Sequence, residues 1–318
     1  MIKRPLGKTG IEVSEIAFGG VEIGMPYGIG VRSETDMLRQ DEAVNLLHRA
    51  LDRGINFFDT ARMYGNSEVL MGQAFRGRRS QVVLGTKCRH FRDQNGLLPV
   101  DKELPGIIFR SVQESLDALR TDYLDLLMIH QADREIIDNE AIADAFLTLK
   151  NDGKIRAMGV STYSVAETRL VLEKNIWDVI QLPFNLMDQR QESCFEEASN
   201  KGVGLVVRSV LLKGLLSDRG QNLPKPLEKV EQHIRQFDRL RESFGWNLPT
   251  LATKFALSFK QVSSVLVGID REQYLDDALH AGDGSYLDKQ GLAMAKALEF
   301  SDPGFINLHH WTKMGWLT

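Results

Sequence analysis

Residues 54–65 read GINFFDTARMYG, and a second run at 82–87, VVLGTK, repeats their design: a short apolar stretch that ends on a charged or polar group. Apolar runs this short, rich in Val, Ile and Phe, are what a strand buried on both faces requires. Between them, residues 67–76 carry helical spacing, with Ser67 as a candidate cap. The same beat continues outward in both directions. Strands are predicted at 16–20, 55–59, 82–86, 124–129, 155–160, 178–182, 203–207 and 263–267. Helical patterns fall at 41–53, 67–76, 106–119, 138–151, 164–174, 190–201, 228–243, 248–259, 270–280 and 287–299. Alternation of this kind defines an α/β protein, and eight strands match the count of a (β/α)8 TIM barrel. Residues 2–15, with Lys8-Thr9-Gly10 at their turn, predict an N-terminal β-hairpin. The long interval between the seventh and eighth strands predicts an extra helix there. A doubly wound open sheet is the competitor, but Gly19-Gly20-Val21-Glu22 does not supply the GxGxxG that fold uses after its first strand.

Composition narrows the function classes. The chain has 318 residues, 43% of them hydrophobic and 26% charged, the profile of an ordinary globular protein. With 39 basic and 43 acidic residues the net charge is −4, so no basic field exists to hold nucleic acid or an anionic membrane surface. Two cysteines, Cys88 and Cys194, suit a reducing compartment. The N-terminal residues lack the apolar core of a signal peptide, and no apolar run is long enough to span a bilayer. The expectation is a cytoplasmic enzyme, with residues 1–318 forming one barrel domain.

In such a barrel, the C-terminal strand ends converge on one mouth. Read in order, they offer Asp59 on the second strand with Tyr64 just beyond, Lys87 on the third and His130 on the fourth. Ser161, Gln181 and Arg208 follow on the fifth, sixth and seventh. Each has a plainer reading alone: Asp59 as a cap, Tyr64 as a loop aromatic, Lys87 as a solvated strand end, His130 as a satisfied buried histidine. Their conjunction on three adjacent strands suits proton transfer beside a carbonyl. A free phenol titrates at about 10, so Tyr64 needs a neighbouring cation to bring it toward the working range. Lys87 is expected to supply that charge, with Asp59 keeping Lys87 protonated. Neutral His130 would polarise the carbonyl oxygen. None of these groups can supply a hydride, so a reduction would require a bound cofactor.

The residues now resemble the aldo-keto reductase superfamily. The likeness is carried by GINFFDTARMYG (54–65), VVLGTK (82–87), TDYLDLLMIH (121–130), GKIRAMGVST (153–162) and VIQLPFN (179–185), with RPLGKTGIEVSEIAFGG (4–20) similar to the family's hairpin and first strand. This resemblance implies a (β/α)8 barrel, a cofactor that is NADP(H) or NAD(H) lying across the mouth, and a small-molecule carbonyl substrate. It also implies the tetrad Asp59, Tyr64, Lys87 and His130, with Tyr64 as general acid/base. Ser161, Thr162 and Gln181 stand where the family holds the nicotinamide carboxamide, Thr162 replacing the usual Asn. Arg208 stands where an aromatic commonly stacks on the nicotinamide. It can lie flat on that ring and favour the neutral reduced form, point at an acidic substrate group, or reach the pyrophosphate.

SVLLKGLL (209–216) resembles the loop over the pyrophosphate, which implicates Ser209, Leu211, Lys213 and Gly214. VGIDREQYLDDAL (267–279) resembles the adenosine end, which implicates Gly268, Arg271, Tyr274 and Asp277, the last facing the adenine amino group. Tyr274 and Ala278 replace residues common in NADP-dependent members, so both cofactors stay open.

Substrate is read only from loop content. Tyr27, Arg32, Arg89, His90, Phe91, Arg92, His309, His310, Trp311 and Trp316 fall in the segments expected to wall the pocket. They point to a hydroxylated or acidic substrate, such as a sugar derivative, although solvated loop charge explains them as well. Cys88 is expected to face away from the barrel interior if Lys87 faces in, and no metal site is expected. Two rival functions have a sequence basis: an aldolase using Lys87 as a Schiff-base nucleophile, and a nicotinamide-binding regulatory subunit with incidental redox activity. Oligomeric state is not readable from these residues.

Overall fold

A computed structural model describes residues 1–31 and 33–317, leaving out the side chain of His309. Arg32 and that side chain, both counted above among the pocket-wall candidates, lie outside the described residues. A hairpin of β1 (Lys3–Pro5) and β2 (Glu12–Ser14) precedes eight further strands. These are β3 (Ile16–Gly19), β4 (Phe57–Asp59), β5 (Val83–Lys87), β6 (Leu124–Ile129), β7 (Ile155–Ser161), β8 (Val179–Pro183), β9 (Gly204–Arg208) and β10 (Val262–Gly268). All are parallel, and β10 pairs with both β3 and β9, which closes the barrel. Every predicted barrel strand is present, with ends displaced by at most two residues. The predicted hairpin and additional helix are present too. Between β9 and β10 the chain forms Glu228–Ile234 and Asp238–Phe244 before the helix Leu248–Leu257.

Period-two alternation builds two cores from these strands. Phe58, Leu84, Leu127, Ile129, Val160 and Ile180 face out and pack under the surrounding helices. Ala17, Phe57, Val83, Leu126, Met128, Ala157, Val179, Val206 and Leu266 fill the interior. Hairpin residues Leu6, Ile11 and Val13 belong to the interior cluster, so the hairpin plugs the N-terminal end of the barrel. The plug fits closely because Gly7 has no side chain; a Cβ there would lie 2.4 Å from the Gly204 nitrogen.

Some helices differ from their predicted form. The pattern at 138–151 forms the helix Glu140–Asn151, which starts at Asn139 because that side chain accepts from the Ile142 amide, and an unpredicted helix Arg134–Asp138 precedes it. Ser67 is the first residue of the helix Ser67–Ala74 and not its cap. Its hydroxyl accepts from Thr60 Oγ1 at 2.8 Å, which ties the helix to the end of β4. Among the described residues, no helix is long and apolar enough to cross a membrane.

Leu6 is fully buried in the plug. Leu6→Ala should therefore cost about 2–5 kcal/mol of stability, measured by urea unfolding. A loss within error of zero would show that the hairpin is not part of the core.

Candidate active site

The inward phase of each strand continues past the apolar layers to its C-terminal end, and there the inward positions turn polar. Phe57 faces in, so Asp59 does; Val83 faces in, so Lys87 does; Met128 faces in, so His130 does. By the same parity Cys88 falls in the outer cluster, as expected.

Lys87 Nζ donates to Asp59 Oδ2 at 2.5 Å and to the Thr60 carbonyl at 3.0 Å. Gln181 Nε2 donates to the other Asp59 oxygen at 2.8 Å. Both carboxylate oxygens are thus held, from three different strands. Burial drives the Lys87 ammonium toward losing its proton, and the charge and hydrogen bond of Asp59 oppose that loss.

Tyr64 sits in the tight turn after β4. The turn is clamped to the segment after β3, because Asn66 N donates to the Gly24 carbonyl at 3.1 Å. Gly65 takes φ +51° there, and a Cβ on it would stand 2.1 Å from the Gly24 oxygen. The Tyr64 ring centroid lies 5.0 Å from Lys87 Nζ, and the His130 ring meets it edge-on at 5.4 Å. Burial raises the Tyr64 phenol well above its ordinary value, and the Asp59 charge adds to the rise. This corrects the expectation that Lys87 lowers it. Burial and the Asp59 carboxylate outweigh the Lys87 cation, so the phenol keeps its proton.

His130 is pushed far below the ordinary histidine range, first by burial and then by Lys87, His90 and Arg208. Its ring is neutral at pH 7. Its Nδ1 is buried without a hydrogen-bond partner, and the His90 ring stands 4.9 Å away.

A cleft of about 710 Å³ runs from Tyr64 and His130 past Ser161, Gln181 and Arg208 to Tyr274, Asp277 and Ala278. Ser209, Leu211, Lys213, Gly214 and Gly268 also line it. The segment after β9 is curled by left-handed backbone at Ser209, Leu212, Lys213 and Gly214. Such conformations turn amides and a lysine toward an anion. The length of the cleft, the curled cradle and the Lys213 cation fit an elongated dinucleotide. Arg208 NH2 donates to the Thr162 carbonyl at 2.9 Å, and the guanidinium stacks 4.3 Å from the Tyr163 ring centroid. No carboxylate pairs with it among the described residues.

Two cofactor expectations do not survive as side-chain contacts. Thr162 is fully buried and its hydroxyl pairs with Thr168 at 2.8 Å, because it follows the inward Ser161 and so faces out. Arg271 does not line the cleft; it pairs with Asp270 and stacks on Tyr274 at 4.8 Å. Asp277 accepts from Asn247 at 3.1 Å, and Tyr274 also carries Arg219 at 5.4 Å.

Among the loop residues, Arg92 is bound by Asp133 and Glu135, and Arg89 by Glu114. Their charges are spent locally. Trp311 and Phe91 are buried, and the C-terminal wall is made instead by Pro303, Gly304, Ile306, Asn307 and Leu308. Sequence reading missed Glu22, Tyr163, Asn185, Arg219 and Asp270, which line the cleft. For Glu22 and Tyr163, position just past a barrel strand was the available signal.

A closed barrel that gathers these side chains at one mouth, beside a cleft of about 710 Å³, is the framework of an oxidoreductase. The sequence profile of the aldo/keto reductase family matches residues 15–299, and the chain belongs to that family. It is 31% identical to the NADH-specific methylglyoxal reductase of Escherichia coli, covering 84% of this chain and 89% of that one. It is 28% identical to the L-galactose dehydrogenase of Arabidopsis thaliana, covering 87% of each. Among solved structures it resembles the holo form of an aldo-keto reductase from Bacillus halodurans, with a TM-score of 0.78 and 26% identity over 94% of this chain and 96% of that one.

The burial of His130 predicts that its ring stays unprotonated down to about pH 5, well below its ordinary range. Proton NMR of the His130 ring should show no titration between about pH 8 and pH 5. A midpoint near the ordinary histidine value would contradict the site electrostatics.

Proposed function

We propose that this protein catalyses reversible reduction of a small, polar carbonyl compound with a nicotinamide cofactor, the chain acting as one barrel domain in the cytoplasm. The observation that carries this reading is the gathering of Tyr64, His130 and the Lys87–Asp59 pair at one mouth. The nicotinamide supplies the hydride for reduction or accepts it in the reverse direction. Tyr64, protonated in its buried setting, gives its proton to the carbonyl oxygen. Neutral His130 donates a hydrogen bond to the same oxygen and fixes its direction. Lys87 beside the ring stabilises the phenolate that remains until solvent returns the proton. Asp59 and Gln181 hold Lys87 in place. A Schiff base on Lys87 is disfavoured, because its Nζ is buried behind Asp59 and contributes nothing to the cleft lining.

For the cofactor we favour NAD(H). The adenosine end presents Asp270 and Asp277, and its cations Arg271 and Arg219 are both already paired with Asp270. A 2′-phosphate would meet like charge there. The NADH-specific relative points the same way. The substrate end is lined by Tyr27, Tyr163, Asn185 and Arg208, a polar wall suited to a hydroxylated aldehyde, ketone or sugar.

Two measurements test this reading. Fluorescence titration should show NADH binding at least about tenfold more tightly than NADPH, the equivalent of about 1.4 kcal/mol. Tyr64→Phe should keep NADH affinity while kcat/KM on a sugar and aldehyde panel falls by about 10²- to 10⁴-fold. Unchanged turnover in that variant would remove Tyr64 as the proton donor.

A further inference from the structure

Glu22 takes no part in the proton-transfer set, yet its carboxyl is built into the middle of the cleft. It follows Gly19-Gly20 at the end of β3, on the single turn Val21–Gly24. Its side chain reaches across to the end of β10, where Gly268 makes room for it. A Cβ at Gly268 would lie 2.0 Å from Glu22 Oε1 and 3.0 Å from Oε2. Oε2 is shielded from solvent and has no hydrogen-bond partner.

The groups around this carboxyl come from every side of the cleft. Asp59 faces it from β4, Tyr64 from the turn beyond, Asp270 from the segment after β10, Arg219 from the segment after β9, and Tyr27 from its own loop. The cation in this set, Arg219, is itself 3.6 Å from Asp270. Burial therefore pushes the Glu22 carboxyl up to about 8, with Asp270 and Asp59 adding to the rise and Arg219 opposing it.

Position decides what this acid can meet. Glu22 shares the cleft lining with Tyr64 and Asp59 and with Arg219 and Asp270, and its charge interacts with all four. A dinucleotide with its nicotinamide at Tyr64 and its adenosine at Tyr274 would carry its phosphates and ribose past this point. An ionised carboxylate would repel the phosphates, whereas a carboxylic acid offers them a donor. The Glu22 backbone amide meets the carboxyl, but Oε2 has no hydrogen-bond partner among the described residues, and a ligand oxygen in the cleft would satisfy it.

We propose that Glu22 is a cofactor-positioning residue that meets the ribosyl-pyrophosphate of the dinucleotide as a neutral carboxylic acid, donating its proton to a cofactor oxygen. The proposal rests on the reading of this cleft as a nicotinamide-dinucleotide site. Below about pH 8 the acid already holds its proton, and NADH binds without proton exchange. Above that value Glu22 is ionised in the free protein and must take up a proton on binding, so affinity falls by up to about tenfold per pH unit.

The test is calorimetric titration of NADH into the full-length protein at about pH 9, in buffers of different ionisation enthalpy. Fluorescence measurement of Kd from about pH 7 to 9.5 accompanies it. The wild type should take up a substantial fraction of a proton, and its Kd should weaken across that range. Glu22→Gln should take up no proton at Glu22 and hold a Kd that does not change across this pH range. Burial also disfavours the Lys213 cation, so the uptake is assigned to Glu22 only where Glu22→Gln removes it. Absence of proton uptake in the wild type overturns the proposal, even if the Gln variant does not fold. Uptake that survives Glu22→Gln also overturns it. Binding without Glu22-linked uptake leaves the cofactor reading intact, whereas failure to bind either NADH or NADPH removes both.

Discussion

A lysine ammonium at the end of a closed barrel must be held by a carboxylate or give up its proton, and the site is arranged around the solution to that constraint. Lys87 is 1% exposed, and its 2.5 Å contact with Asp59 is what lets a positive charge stand beside the Tyr64 ring. Asp59 in turn needs its second oxygen satisfied, which Gln181 does from across the mouth. Removing one partner would leave the other charge buried and uncompensated, a far larger penalty than any surface ion pair carries. The pair therefore binds β4, β5 and β8 together at the same point where it sets the chemistry.

From that pair outward, the cleft is organised by what each group can afford to ionise. His130 stays neutral because it is buried near Lys87 and Arg208. Tyr64 stays protonated because it is buried near Asp59. Both are consequently hydrogen-bond donors at neutral pH, aimed at the region where a carbonyl oxygen would accept. Arg208 adds a cation with no carboxylate partner, oriented by the Thr162 carbonyl and the Tyr163 face. Glu22 is the acid counterpart on the opposite wall. The sign of charge thus changes along the cleft, although the net charge of the chain is a mild −4.

Much of this was legible from residue order because two periodicities act together. Apolar runs separated by amphipathic segments identified the barrel strands, and the period of two gave the inward phase that turns Asp59, Lys87 and His130 to one mouth. The family resemblance then marked the cleft residues Ser161, Gln181, Arg208 and Lys213. The failures have a common cause. The family resemblance implied a carboxamide contact for Thr162, but its hydroxyl is buried against Thr168, on the face opposite to Ser161. Arg89 and Arg92 were read as pocket cations, but Glu114, Asp133 and Glu135, distant in sequence, neutralise them. Ser67 was read as a cap because helix starts favour serine, yet its hydroxyl is engaged by Thr60.

Sequence alone determined the architecture, the family and the convergence of Asp59, Tyr64, Lys87 and His130 on one mouth, because these depend on local pattern and on strand parity. Tertiary structure decided the protonation states. Whether Tyr64 is easier or harder to ionise than a free phenol depends on the balance between a cation at 5.0 Å and an anion already paired with it, together with the loss of water. The same holds for Glu22, an ordinary glutamate by sequence whose acidity is set by burial and by charged groups on three other segments. Charge interactions act through space across the closed barrel. They emerge only when β3 and β10, far apart in the chain, become neighbours.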